Sequence, residues 1–193
     1  MIRYKWHEGL PFLGDAHGGI SLPQVFCAPV SPQPKNKGVY FTDDVIFARE
    51  KFGLFQLIVL LDNIHDLEHT RGAILGLGKL SGGYVLPEEA TFIVQTASVG
   101  GLQSDVDNDV FHLATAEEFT ADPILCKSRP APQYYDMNQL KKDLHEKRFV
   151  IVRPDRFVYA ACDTAGQLQS ICGGIAKNLG IIWARAHGGV SLK

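Results

Sequence analysis

The stretch LFQLIVLL at residues 54–61 constrains the fold more than any other part of the chain. It is almost continuously apolar, carries β-branched and aromatic residues, and is bounded by Gly53 on one side and Asp62-Asn63 on the other. A run this short and this apolar suits a central strand buried on both faces. Such a strand must be covered on both sides, which calls for helices packed on a sheet. The segment HDLEHTRGAILGLGKL (65–80) supplies one cover, with Leu67, Ile74 and Leu77 near helical spacing. A second strand is expected in ATFIVQTA (90–97), after a Gly-Gly-Tyr loop and a proline.

The remaining elements are punctuated in the same way. Residues 24–28 read as a short edge strand, and Thr42 as the cap of a helix over DDVIFAREKF, with Gly53 just past its end. Between residues 98 and 136 the pattern is poor, with ATAEEFTADP as a short helix, and this stretch is expected to be a surface insertion. Asp136 is expected to cap a helix over MNQLKKDLHE. In RFVIVRPDRFVYAACD (148–163), two apolar runs flank Arg153-Pro154-Asp155-Arg156, with proline and aspartate where a tight turn wants them. That is a β-hairpin signal. The last helix carries Leu168, Ile171, Cys172, Ile175 and Leu179 on one face, from Thr164 to a stop at Gly180. Gly173 and Gly174 inside it each cost about 1 kcal/mol relative to alanine, which suggests close packing on the sheet.

A helix, strand, helix, strand, insertion, helix, hairpin and final helix give a thioredoxin-like α/β arrangement, a mixed sheet with helices on both faces. A chain of 193 residues fits one such domain. Lys+Arg 19 against Asp+Glu 21 leaves a net charge of −2, so no broad electrostatic grip on nucleic acid is indicated. The N-terminal residues lack a signal-peptide core and the longest apolar run is far too short for a membrane span, so the expectation is a soluble, cytoplasmic protein. Cys27, Cys126, Cys162 and Cys172 form no C-x-x-C pair, so the expected domain is non-redox, with buried thiols acting as small hydrophobes.

The hairpin stretch FVIVRPDRFVYAACD is similar to the VVVRPDGYV signature near the end of the C-terminal domain of FAD-dependent aromatic hydroxylases of the phenol 2-monooxygenase group. GGISLPQVF (18–26), GLFQLIVLL (53–61) and the helix before the signature follow in the same order, so the resemblance covers about residues 14–180 and leaves 181–193 as a tail. It implies a thioredoxin-like domain without redox cysteines that serves dimerisation or stabilisation. The chain departs from that family in lacking any G-x-G-x-x-G after a strand, hence the whole FAD-binding part, and it cannot hydroxylate a phenol alone. The glycine usual after Pro-Asp is Arg156 here.

Arg153 and Asp155 read first as turn residues, with Arg153 also able to grip an anionic ligand or a partner. His65-Asp66-Leu67-Glu68-His69 fits an H-x-x-E-H pattern, yet no third ligand follows at metal spacing, and no metal is expected. In a thioredoxin-like frame, the turn after the first central strand is where redox members hold their cysteines. Here it reads Asp62-Asn63-Ile64-His65, so acid–base chemistry, if present, is expected from Asp62, His65 and His69, joined by Tyr134 and Tyr135. The glycine-rich run 72–80 lacks the spacing of a phosphate loop, and Asp105, Asp107 and Asp109 lack the rest of a calcium loop. AHGGISL (16–22) recurs as AHGGVSL (186–192), by chance, as parallel extended tails, or as His17 and His187 ends that swap or pair across a dimer, and Trp183 is a candidate interface anchor.

The leading expectation is a stand-alone assembly module, homodimeric or stabilising a partner such as a flavoprotein monooxygenase, with no cofactor of its own. The alternative is a cofactor-independent isomerase, cyclase or binder acting on an aromatic or polyketide-like small molecule. A third is that the chain is the separated end of a larger hydroxylase.

Overall fold

A computed structural model describes residues 11–31, 38–95, 109–122 and 135–186, with the side chains of the last helix described to residue 179. In chain order the strands are β1 (Phe26–Pro29), β2 (Tyr40–Phe41), β3 (Gln56–Leu61), β4 (Thr91–Val94), β5 (Val110–Leu113), β6 (Phe149–Val152) and β7 (Val158–Cys162). The helices are α1 (Thr42–Ile46), α2 (Leu67–Ile74), α3 (Leu77–Leu80), α4 (Ala116–Ala121), α5 (Gln139–Asp143) and α6 (Ala165–Ala186).

All seven strands form one mixed sheet in the order β2-β1-β5-β4-β3-β6-β7. β3 pairs parallel with β4 and antiparallel with β6, and β6 pairs antiparallel with β7. With α2 between β3 and β4, and α6 after β7, this is the thioredoxin-like α/β arrangement. Every residue of β3 is buried, as its composition requires. The strand's period of two divides it between two cores. Leu57, Val59 and Leu61 face Leu67 and Ile74 of α2, Leu77 of α3, and Leu168, Cys172, Ile175 and Leu179 of α6. Ile58 and Leu60 join Ile46 of α1, Leu140 of α5 and Leu144 in a cluster on the other face.

Several local expectations give way to longer-range forces. Inside the stretch expected as an insertion, β5 is an interior strand, parallel to β4 and antiparallel to β1, so β1 is not an edge. Its four residues, one of them His112, are too few to show a period. Thr42 is the first residue of α1 rather than its cap, and its hydroxyl accepts the Val25 N–H at 3.3 Å. α1 ends at Ile46 because the chain beyond it is drawn elsewhere: the Glu89 carboxylate accepts the N–H groups of Phe52 and Gly53 at 2.6 and 2.8 Å. α6 runs through Gly180 to Ala186, since one helix glycine is a weak stop, and Gly173 and Gly174 meet no crowded surface that would demand them.

The hairpin turn closes through Arg156 N–H to Arg153 C=O at 3.0 Å and Arg153 N–H to Phe157 C=O at 2.9 Å. Arg156 takes the glycine-type backbone, φ +68°, and its Nε lies 2.7 Å from Asp43 Oδ2. The final helix opens on a reciprocal cap, in which Gln167 N–H donates to the Thr164 hydroxyl and Thr164 N–H to the Gln167 side chain.

Candidate functional site

The sheet end at which β3 runs into α2 is where the sequence places its chemistry. Asn63 caps the turn there, its side-chain oxygen accepting the His65 N–H at 3.0 Å. Asp62 is 78% exposed and accepts from Gln95 Nε2 and Lys141 Nζ, both at 3.2 Å. His65 and His69 are exposed, and Asp66 pairs with Arg148 at 3.0 Å. The clefts of about 510, 270 and 290 Å³ formed among the described residues are lined by none of Asp62, His65 and His69. Among the described residues no three His, Cys, Asp or Glu side chains stand together as metal ligands.

Tyr135 sits apart from these histidines in its bonding. Its hydroxyl donates to the Ala114 C=O at 2.9 Å beyond the end of β5, and its ring lies 5.1 Å from that of Phe26 in β1. Burial pushes the phenol up to about 12, so it stays a neutral hydrogen-bond donor at neutral pH. Tyr134, Cys126, Asp105 and Asp107 lie outside the described residues, as does the side chain of Trp183, whose backbone belongs to α6.

Arg153 is only 8% exposed, and the turn itself engages it. Its Nε and Nη2 grip the two Asp155 carboxylate oxygens at 3.1 and 2.6 Å, a forked pair inside the loop, and Nη1 reaches the Pro11 C=O at 3.4 Å. Cys27, Cys162 and Cys172 are buried, and burial holds each thiol up at about 12. A thiol so protonated is a poor nucleophile at neutral pH.

No family model matches the chain, and no curated protein matches it.

The feature that sequence reading missed lies at the opposite end of β3. Lys51 is half-buried between α1 and the start of that strand, and its Nζ donates to Thr91 Oγ1 at 2.5 Å. Burial lowers this ammonium to about 8 from 10.5, against the pull of Glu89, Asp109 and Glu50. Beside it, Gln56 Nε2 donates to Gly53 C=O at 2.9 Å and to Glu89 at 3.3 Å, while the buried Gln56 Oε1 has no partner among the described residues. Lys51 and Gln56 line a cleft of about 290 Å³ with Phe47, Leu54 and Pro154. One signal was available: Gln56 is the single polar residue of LFQLIVLL, and a buried amide inside such a run calls for partners. A larger cleft, of about 510 Å³, lies between α2 and β4. It is walled by Ile74, Leu75, Pro87 and Phe92, with Arg71 bonded to Asp109 at 2.7 Å and placed 5.3 Å over the Phe92 ring.

Proposed function

We propose that the protein is a non-redox thioredoxin-like assembly module that pairs with a second copy of itself and stabilises a flavoprotein partner of aromatic hydroxylation. One observation carries the reading. At the sheet end that serves chemistry in redox thioredoxin-like proteins, Asp62, His65 and His69 stand exposed, with Asp62 held in a surface ion pair to Lys141, and the three described thiols are buried and protonated. Such groups neither exclude water from a substrate nor hold it in a fixed geometry. The link to hydroxylation rests on the R-P-D hairpin and the order of elements around it. Exposed apolar side chains, Leu75 at 76% just past α2 and Leu80 at 44% at the end of α3, are consistent with a surface that a partner covers.

Native mass spectrometry on the purified chain over a range of concentrations tests this. A dimer without retained small molecule is the expected result. A chain that stays monomeric at every concentration and carries a stoichiometric organic mass overturns it.

A second reading, a small-molecule binder or cofactor-independent enzyme, is favoured by the Lys51 cleft alone. Incubation with a small aromatic aldehyde and borohydride checks it. Attack of the Lys51 amine on the carbonyl carbon expels water, and hydride from borohydride reduces the imine, so the adduct is stable to mapping. Labelling of Lys51 ahead of the other lysines at pH 8, abolished in Lys51→Met, supports a ligand site; uniform labelling removes it.

A further inference from the structure

The duplicated heptad acquires a meaning once its first copy is seen in place. β7 ends the sheet order, yet its outer edge is not bare. Gly19 N–H donates to Val158 C=O at 2.9 Å, Val158 N–H to Ile20 C=O at 2.9 Å, and Leu22 N–H to Arg156 C=O at 2.8 Å, with Ser21 bridged antiparallel to Phe157. Residues 19–22 thus act as an eighth, irregular strand that closes the edge, with Ala16, His17 and Gly18 forming the turn that leads into it.

Each residue type in the heptad is used. Ala16 packs against the core cluster that contains α6, and Leu22 is buried in the cluster on the other face. His17 takes a left-handed backbone, φ +57°, and its ring lies 4.9 Å from that of His145. Gly18 runs so close to β7 that a Cβ there would stand 2.3 Å from the Tyr159 carbonyl oxygen, so nothing larger fits. Gly19 has φ +96°, which an L side chain rarely adopts.

Residues 186–192, AHGGVSL, of which 187–192 lie outside the described residues, repeat these residue types with one change, Val190 at the place of Ile20. The second heptad therefore carries every feature that the β7 edge selects. It cannot take that seat in its own chain. Ala186 is the last described residue of α6, whereas Ala16 lines a small cleft together with Ile171 of the same helix. Fifteen residues of α-helix separate Ile171 from Ala186, which is about 22 Å along the axis, and no linker intervenes. While α6 is helical, the start of the second heptad is therefore held well away from the place where the first one begins.

We propose that residues 186–192 of one copy seat on the outer edge of β7 in a second copy, in place of that copy's own residues 16–22. This deepens the assembly reading and rests on it. The seat is a strand-addition site, in which backbone hydrogen bonds hold the segment and the glycine pair and apolar pockets select it. The exchange is reciprocal, because each chain carries both a plug and a seat, and it closes into a two-fold dimer. The first heptad competes from within its own chain at an effective concentration on the order of millimolar, so exchange rises with protein concentration.

The test uses the full-length chain. Gly188→Val blocks the second plug, and it is expected to shift the dimer's dissociation at least tenfold toward monomer. Gly18→Val weakens the competing plug and is expected to strengthen dimerisation, and Gly18→Val/Gly188→Val to abolish it again. Should Gly18→Val fail to fold, a mixture of two otherwise native chains, Ser191→Cys and Phe157→Cys, decides the point. Mild oxidation is expected to give the mixed disulfide dimer in excess over a Ser191→Cys and Phe52→Cys control. A dimer unchanged by Gly188→Val, with no excess of the mixed disulfide, overturns the exchange and leaves the assembly reading standing. A wild-type chain monomeric throughout overturns both.

Discussion

Replacing Lys51 with methionine removes a charge from a place that disfavours it while keeping the stem that packs there. Lys51 is less than about one-third exposed, and its ammonium falls from 10.5 to about 8 through burial. A difference of that size corresponds to about 3 kcal/mol between the charged and neutral forms. Between pH 8 and 10.5 the unfolded lysine holds a proton that the folded one has lost, so wild-type stability contributed by this group rises with pH across that window. Below pH 8 the folded protein carries the full cost of the charge. Against this, the substitution leaves the buried Thr91 hydroxyl without its 2.5 Å donor, at a cost of about 1 kcal/mol. Lys51→Met is therefore expected to be more stable than wild type by about 2 kcal/mol at pH 7, with the advantage disappearing toward pH 10.5.

Urea unfolding of both proteins at steps from pH 7 to 10.5 measures the difference. Other groups titrate in that range: the thiols of Cys27, Cys162 and Cys172, raised from 9.0 to about 12, make both proteins lose stability above pH 9. They cancel in the difference because neither chain changes them. A difference that stays constant with pH, or a Lys51→Met chain less stable at pH 7, would refute the burial argument and with it the ligand-site reading of the Lys51 cleft.

Arg153→Ala should cost about 1–3 kcal/mol in urea unfolding, because it removes a charged fork on Asp155 and the contact with Pro11; no change would mean that the turn holds without it. In the native protein at pH 8, Cys27, Cys162 and Cys172 should resist iodoacetamide, and rapid alkylation mapped to any of them by mass would contradict their burial. Thr115→Ala should lower stability by about 1 kcal/mol, since the Thr115 and Glu118 side chains cap each other's backbone N–H groups at the start of α4. Tyr135→Phe removes the donor to the Ala114 carbonyl and should cost about 1 kcal/mol in the same assay.

The central strand, the hairpin and the last helix were legible because their signals are local and redundant. An apolar run between a glycine and an Asp-Asn pair, a Pro-Asp turn between two such runs, and apolar residues at i, i+3, i+4 and i+7 each specify one element without help from the rest of the chain. β5 was not legible, since four residues give no period and its strand state is imposed by β4 on one side and β1 on the other. The end of α1 was misread for a related reason: Glu89, distant in sequence, captures the N–H groups that a longer helix would have used. The same carboxylate helps to build the Lys51 and Gln56 cluster, whose members come from two stretches, 51–56 and 89–91.

By itself the sequence determined the α/β class, the two-sided burial of residues 56–61, the turn at Arg153–Arg156 and the presence of a duplicated heptad, because each depends on neighbours within a few residues. Only the tertiary structure decided that Lys51 loses its solvent and that residues 19–22 close the edge of β7. Those outcomes depend on desolvation and on backbone pairing between segments more than a hundred residues apart, and no local pattern encodes either of them.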